Sequence, residues 1–205
     1  MKKTLLITTL VTSTLLLCGN STSYAEGYFS AADERNSVAA EVSEPARILQ
    51  GGITAITQFT QQQGDAAQLR EFLTREVLPQ FDFAQMASLA AGPLRRQLDP
   101  AQQQRLITLI SEEFTETMVS RLATLHQSEI TYLPPKEDRH GMVTLALRAN
   151  SQNRPPIVVA FKLHRTAKGW KIFDVAANGA NAVGYFREKI AQEVRAGGIN
   201  KLLSH

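Results

Sequence analysis

The sequence has little of what catalytic and metal centres are built from. Among its 205 residues there is one cysteine, Cys18, and four histidines, His126, His140, His164 and His205. No two of these histidines have metal-ligand spacing on one element, and neither an H-E-x-x-H nor a G-x-S-x-G sequence occurs. No glycine-rich phosphate loop is present, because Gly51-Gly52 and Gly197-Gly198 fall at helical positions. Charge is nearly balanced, 22 Lys and Arg against 19 Asp and Glu, without the dense basic patch of a nucleic-acid binder. No apolar run reaches the ~20 residues that a bilayer-spanning helix needs. These absences argue against an enzyme and against a bound cofactor or metal.

The longest apolar run, residues 5 to 17, lies between Lys2-Lys3 and Ser23-Tyr24-Ala25. A basic start, a short apolar stretch and small residues at −3 and −1 make residues 1–25 a signal peptide, cleaved before Glu26. Cys18 follows Leu17, which is too large for a lipoprotein signal. Cleavage removes Lys2, Lys3 and the only cysteine, so the mature net charge falls from +3 to +1. No disulfide is then available, and the apolar core must hold the fold alone. The expectation is an exported periplasmic protein. Residues 26–42 are polar and read as a mobile leader, and the folded domain spans 43–205.

Ser43-Glu44-Pro45 signals a helix start, with Ser43 as N-cap and Ile48, Leu49, Ile53, Ile56 and Phe59 as its apolar face. Gly51-Gly52 interrupts this helix at a cost of ~1 kcal/mol each against alanine. A second helix carries Leu69, Phe72, Leu73 and Val77 up to Leu78-Pro79. Asp82 is the expected N-cap of a short third helix through Met86 and Leu89 to Gly92-Pro93. Asp99-Pro100 opens the longest helix, whose stripe Ile107, Ile110, Phe114, Met118, Leu122 and Leu125 recurs in steps of three and four. Glu112, Glu113 and Glu116 lie opposite and read as a solvated face. Arg95-Arg96 is open between a phosphate contact and a solvated loop.

From Ser128 the period is two, around Ile130 and Tyr132. Pro134-Pro135 through His140 reads as a loop, and residues 142–149 as a second strand. Residues 150–156 read as a turn-rich connection, and 157–164 as a third strand. His164, beside Lys162 on the polar positions, and His140, in the charged loop, read as solvated histidines. A fourth strand starts at Trp170, with Trp170, Ile172 and Asp174 on one face and Lys171, Phe173 and Val175 on the other. Asp174, inside an apolar strand, must find a donor and is expected to cap the following turn. Four sequential strands with helices before and after predict an α+β fold around an antiparallel meander.

After Asn178-Gly179 the period returns to helical, through Val183, Phe186, Ile190 and Val194, until Gly197-Gly198 stops it and Ile199, Leu202 and Leu203 begin a short last turn. Two motifs, Val77 to Gly92 with its L-P-x-F-D-F-x-x-M core, and Gly169 to Leu203 with W-K-I-F-D-V followed by a turn glycine and an aromatic-basic helix, resemble the signatures of the MlaC or toluene-tolerance family. The chain departs from that family's pattern at Gly179-Ala180-Asn181 and at Leu94-Arg95-Arg96.

The resemblance implies a periplasmic phospholipid-binding auxiliary component of an ABC transport system, a monomer that maintains outer-membrane lipid asymmetry. Its partners would be one phospholipid molecule with buried acyl chains, an inner-membrane ABC transporter complex carrying an MCE-domain protein, and an outer-membrane lipoprotein complex. A curved sheet under helices would enclose an apolar cavity. The candidate lipid-binding residues are Phe83, Met86, Leu89, Phe114, Met118 and Leu122 from the helices. From the sheet they are Val143, Leu145, Leu147, Ile157, Val159, Phe161, Leu163, Trp170 and Ile172. Periodicity alone does not separate a lined cavity from a filled core. A scaffold without lipid, a carrier of another apolar lipid such as a hopanoid, and a hydrolase on the same scaffold are the competing readings.

Overall fold

A computed structural model describes residues 43–62, 64–122, 129–151 and 154–203. The signal-peptide and leader readings lie outside these residues. The N-terminal elements follow the sequence's own punctuation. Helix α1 (Glu44–Gln61) has Pro45 in its first turn, but the Ser43 side chain makes no capping hydrogen bond, contrary to expectation. Helix α2 (Ala66–Phe72) is closed at its start by a reciprocal box: Asp65 accepts from Gln68 N at 2.8 Å, and Gln68 Oε1 accepts from Asp65 N at 3.0 Å. It widens into a π turn over Leu73–Val77, then a 3-10 turn over Leu78–Gln80 at Pro79. Helix α3 (Phe83–Ala91) is capped by Asp82, as the sequence predicts, and ends at Gly92 with φ +54°. Helix α4 (Pro100–Leu122) starts at a second box, between Asp99 and Gln102.

The sheet is antiparallel in the order β1-β2-β3-β4-β5. Its strands are β1 (Glu129–Glu137), β2 (Val143–Ser151), β3 (Arg154–Thr166), β4 (Gly169–Ala177) and β5 (Ala180–Asn181). Among the described residues there are five strands rather than four, because the chain after Asn178-Gly179 pairs for two residues with β4 before turning into helix. Helix α5 (Ala182–Leu203) bends at Gly197 and Gly198, the latter at φ +76°, so the expected stop and short last segment are both present.

Two further boundaries differ from the sequence reading. Pro134-Pro135 belongs to β1, not to a loop. This is an edge strand, and the register shifts between Leu133 and Lys136, so the missing proline N–H groups break no central ladder. Likewise Pro155 and Pro156 lie inside β3, which extends the strand past the expected connection.

A bulge in β4 sets which residues share a face. Leu163 pairs with Ile172 but Lys162 pairs with Asp174, leaving Phe173 as the extra residue. Beyond it the alternation inverts. Asp174 moves to the face of Lys162 and His164, while Val175 joins Phe161 and Leu163. The expected grouping of Asp174 with Trp170 and Ile172 is therefore overturned. Asp174 is buried and does bind the following turn: it accepts from Asn181 Nδ2 at 2.7 Å and from Val183 N, in the first turn of α5, at 3.1 Å. Those two bonds satisfy a carboxylate that burial would otherwise penalise.

Candidate functional site: the apolar sheet face and its roof

The sheet face that looks toward α1 is built by alternation on three strands. Val143, Leu145 and Leu147 of β2 stand opposite Leu163, Phe161 and Val159 of β3, and Ile172 of β4 opposite Leu163. All but Val159 are buried, in one cluster with Leu49 of α1. Val159 and Trp170 pack against it half-buried, as do Ala46, Ile53, Phe81 and Val175. Ile157, opposite Ala149 at the far end of β3, is half-buried and lies outside this cluster.

The helical candidates divide between two other clusters. Met86 and Phe114 are buried between α3, α4 and α5, together with Val183, Phe186 and Ile190, and Phe83, Leu89 and Met118 pack against them. Leu122 packs instead with Leu69, Leu73, Val77 and Val119, between α2 and α4. The sheet set and the helix set thus do not face each other across one space. They meet at Val175 of β4 and at Phe81, whose ring lies 5.6 Å from Phe83 and 5.0 Å from Phe114, centroid to centroid. Phe81, Val175 and Leu49 are absent from the sequence-derived set. Phe81 precedes its helix and so falls on no periodic face. Val175 sits on the sheet face because of the bulge. Leu49 had a legible signal in the α1 stripe, and Phe81 one in the L-P-x-F-D-F-x-x-M motif.

The segment bearing Phe81 is fastened to the sheet. Phe81 forms a β-bridge with Ile172, and Asp82 N donates to Ile172 O at 2.8 Å. Asp82 divides its carboxylate: Oδ1 accepts from Gln85 N at 2.8 Å, and Oδ2 lies 3.0 Å from His164 Nε2. The His164 ring packs edge-on against Phe173. His164 is therefore a half-buried tie between β3 and α3, not the solvated histidine expected; its partner stands 82 residues away. The acidic side of α4 differs from expectation in the same way. Glu113 accepts from Tyr185 Oη at 2.8 Å and binds Lys189, both on α5, and Glu116 pairs with Arg70 of α2. These carboxylates clamp neighbouring helices rather than only facing water. The Glu113 carboxylate, with some burial, holds the Tyr185 phenol above its ordinary titration range.

A cleft of about 200 Å³ lies between α4 and α5, lined by Leu106, Leu109, Ile110, Phe186, Ile190 and Leu202 with Glu112, Glu113, Lys189 and Glu193. It shares no residue with the sheet face. Its volume is also below the roughly 300–1,000 Å³ of pockets that enclose small organic ligands. Among the described residues no group of three or more His, Cys, Asp or Glu could hold a metal ion, and no helix is long and apolar enough to cross a membrane.

An α+β domain whose open antiparallel sheet turns an apolar face to the covering helix α1 is the class defined by this arrangement. The chain belongs to the MlaC family: the family profile described as MlaC protein matches residues 50–205. Its fold is similar to that of the phospholipid-binding protein from Ralstonia solanacearum solved in complex with a phospholipid. The TM-score is 0.68 at 17% sequence identity, and the match covers 76% of this chain and 90% of that one. At that identity the likeness establishes the fold. No curated protein matches the sequence.

Proposed function

We propose that this protein is a periplasmic phospholipid-binding carrier, a binding protein rather than an enzyme. The observation that carries the reading is the continuous apolar face of β2, β3 and β4 beneath α1, a helix that buries only Pro45 and Leu49. A cover with so few buried anchors suits a site that must both enclose a ligand and release it. Membership of the MlaC family and the phospholipid bound by the Ralstonia protein support the ligand class.

The physical need is clear. A lipid with roughly 30 methylenes loses on the order of 20 kcal/mol on entering water, at ~0.8 kcal/mol per methylene. It cannot cross an aqueous compartment unescorted. The carrier takes one phospholipid, holds its acyl chains against the sheet face and exchanges it with membrane complexes. In this proposal those are an inner-membrane ABC transporter bearing an MCE-domain protein and an outer-membrane lipoprotein complex. The outcome would be maintenance of outer-membrane lipid asymmetry.

Organic extraction of the purified protein followed by mass spectrometry tests the first step. The expected result is close to one mole of phospholipid per mole of protein. Protein that carries no lipid and takes none up from phospholipid vesicles would overturn the reading in favour of a scaffold. A hopanoid in place of phospholipid would change the cargo class. The variant Leu145→Trp sharpens the test, because Leu145 is buried on the face covered by α1. If acyl chains occupy that space, the ring displaces them, and the folded variant loses its lipid. If the space is packed protein, overpacking costs ~1–3 kcal/mol and lipid content is unchanged.

A further inference from the structure

Val175 packs against both the sheet-face cluster and the α3–α4–α5 cluster, and Met118 against both helix clusters, but one ring touches all three. Among the described residues, Phe81 alone packs against the sheet-face cluster, the α3–α4–α5 cluster and the α2–α4 cluster. Its backbone is fixed: Phe81 N donates to Leu78 O at 3.0 Å, Asp82 N donates to Ile172 O, and Lys171 Nζ donates to Pro79 O at 2.6 Å. Its side chain is only half-buried, and no hydrogen bond restrains it. What holds it are ring contacts, stacked on Phe83 with 16° between the planes and tilted against Phe114 at 55°. A ring on a fastened backbone therefore stands where the apolar cluster over the sheet meets the apolar clusters among the helices.

Resting on the phospholipid reading above, we propose that Phe81 is the divider that sets acyl-chain length. A chain laid along the sheet face from the β2–β3 side ends against this ring, the larger of the two side chains, with Val175, that stand between the sheet face and the α3–α4–α5 cluster. Chain length is then selected by where the ring stands, since burying each further methylene is favourable only if apolar space exists to receive it. A smaller side chain opens the passage and admits longer chains, and a larger one closes it further.

The experiment compares the wild type with Phe81→Leu, Phe81→Trp and Phe173→Leu. Phe173 is a buried aromatic on the opposite side of the sheet, packed on His164, and controls for ring loss as such. Each purified protein is delipidated and offered vesicles of equal parts dimyristoyl and distearoyl phosphatidylcholine, and the bound lipids are quantified by mass spectrometry. Circular dichroism melts establish that each variant is folded. The expected result is a several-fold shift toward distearoyl lipid in Phe81→Leu, a shift toward dimyristoyl lipid in Phe81→Trp, and the wild-type ratio in Phe173→Leu. Wild-type ratios in both Phe81 variants, or an equal shift in Phe81→Leu and Phe173→Leu, would overturn the assignment while leaving the carrier reading standing. A wild type that binds neither lipid would overturn the carrier reading itself, and the divider with it.

Discussion

Helices α1 and α4 belong to the same domain on different terms. Helix α4 begins in a reciprocal capping box, buries Leu106, Ile110, Phe114, Thr115 and Val119, and is clamped to α5 through Glu113 and to α2 through Glu116. Helix α1 has no side-chain cap and buries Pro45 and Leu49. Its Thr57 and Thr60 hydroxyls bond only to its own backbone, and two glycines sit in its middle. A side chain at Gly51 or Gly52 would meet no atom within 4 Å, so close packing does not require either glycine. The frame of the domain is thus built with redundancy, whereas the cover over the apolar sheet face is held mainly by a few apolar contacts. Local opening begins where such anchors are few.

Removing equal amounts of buried aliphatic side chain from each helix should give the largest difference between them. Ile110 and Leu49 are 3% and 4% exposed. Ile110→Ala should cost about 2–5 kcal/mol, toward the upper end because the clamped helix cannot settle into the cavity. Leu49→Ala should fall at the lower end, near ~2 kcal/mol, because α1 can shift toward the sheet. Urea titration reads both as changes in midpoint at an unchanged slope. Equal costs would make α1 part of the frame and remove the structural basis for a movable cover.

What the sequence reveals divides along a related line. Features set by a few neighbouring residues were legible: Asp82 and Asp99 as caps, Gly197-Gly198 as the break in α5, and Asp174 as the anchor of the next turn. Features set by pairing across the chain were not. The bulge at Phe173 leaves no mark in local composition, yet it inverts the faces of every β4 residue beyond it. Pro134-Pro135 looks like a loop unless the strand is known to be an edge. His164 and Glu113 alternate correctly as polar positions, and only the fold brings Asp82 to one and Tyr185 and Lys189 to the other. The candidate lipid residues show the same limit. Periodicity groups the sheet residues with one another, Ile157 excepted, but it does not reveal that the helical ones are divided between two other clusters.

A smaller effect, of opposite sign, is expected at the two glycines of α1. Since a methyl group at either glycine meets open space, Gly51→Ala and Gly52→Ala should each stabilise the protein by about 0.5–1 kcal/mol, through helix propensity alone. Thermal melts would show a higher midpoint for each variant, and more for the pair. If α1 opens by bending at these glycines, the double variant should also release phospholipid to acceptor vesicles more slowly than the wild type. A stabilised protein with unchanged release would mean that lipid exchange does not depend on bending of α1 at these glycines.

The smallest effect concerns one clamp of the frame. Tyr185 donates to Glu113 at 2.8 Å, and that bond, then partial burial, then the carboxylate's charge raise the phenol above its ordinary value near 10. The group keeps its proton more tightly in the folded protein than in the unfolded chain. Its contribution to stability is therefore complete below pH ~10 and is lost as the pH rises through the raised folded value. Tyr185 is 55% exposed, so solvent screening keeps the contribution below about 1 kcal/mol. Tyr185→Phe keeps the ring contact with Phe186, 5.2 Å between centroids, and removes only the hydroxyl. The stability difference between wild type and variant should be constant from neutral pH to about 10 and shrink above it. Taking the difference cancels the other groups that titrate in the same range. A gap that persists unchanged through that window would show that the bond to Glu113 does not hold the phenol's proton, and that α5 is clamped to α4 here through Lys189 alone.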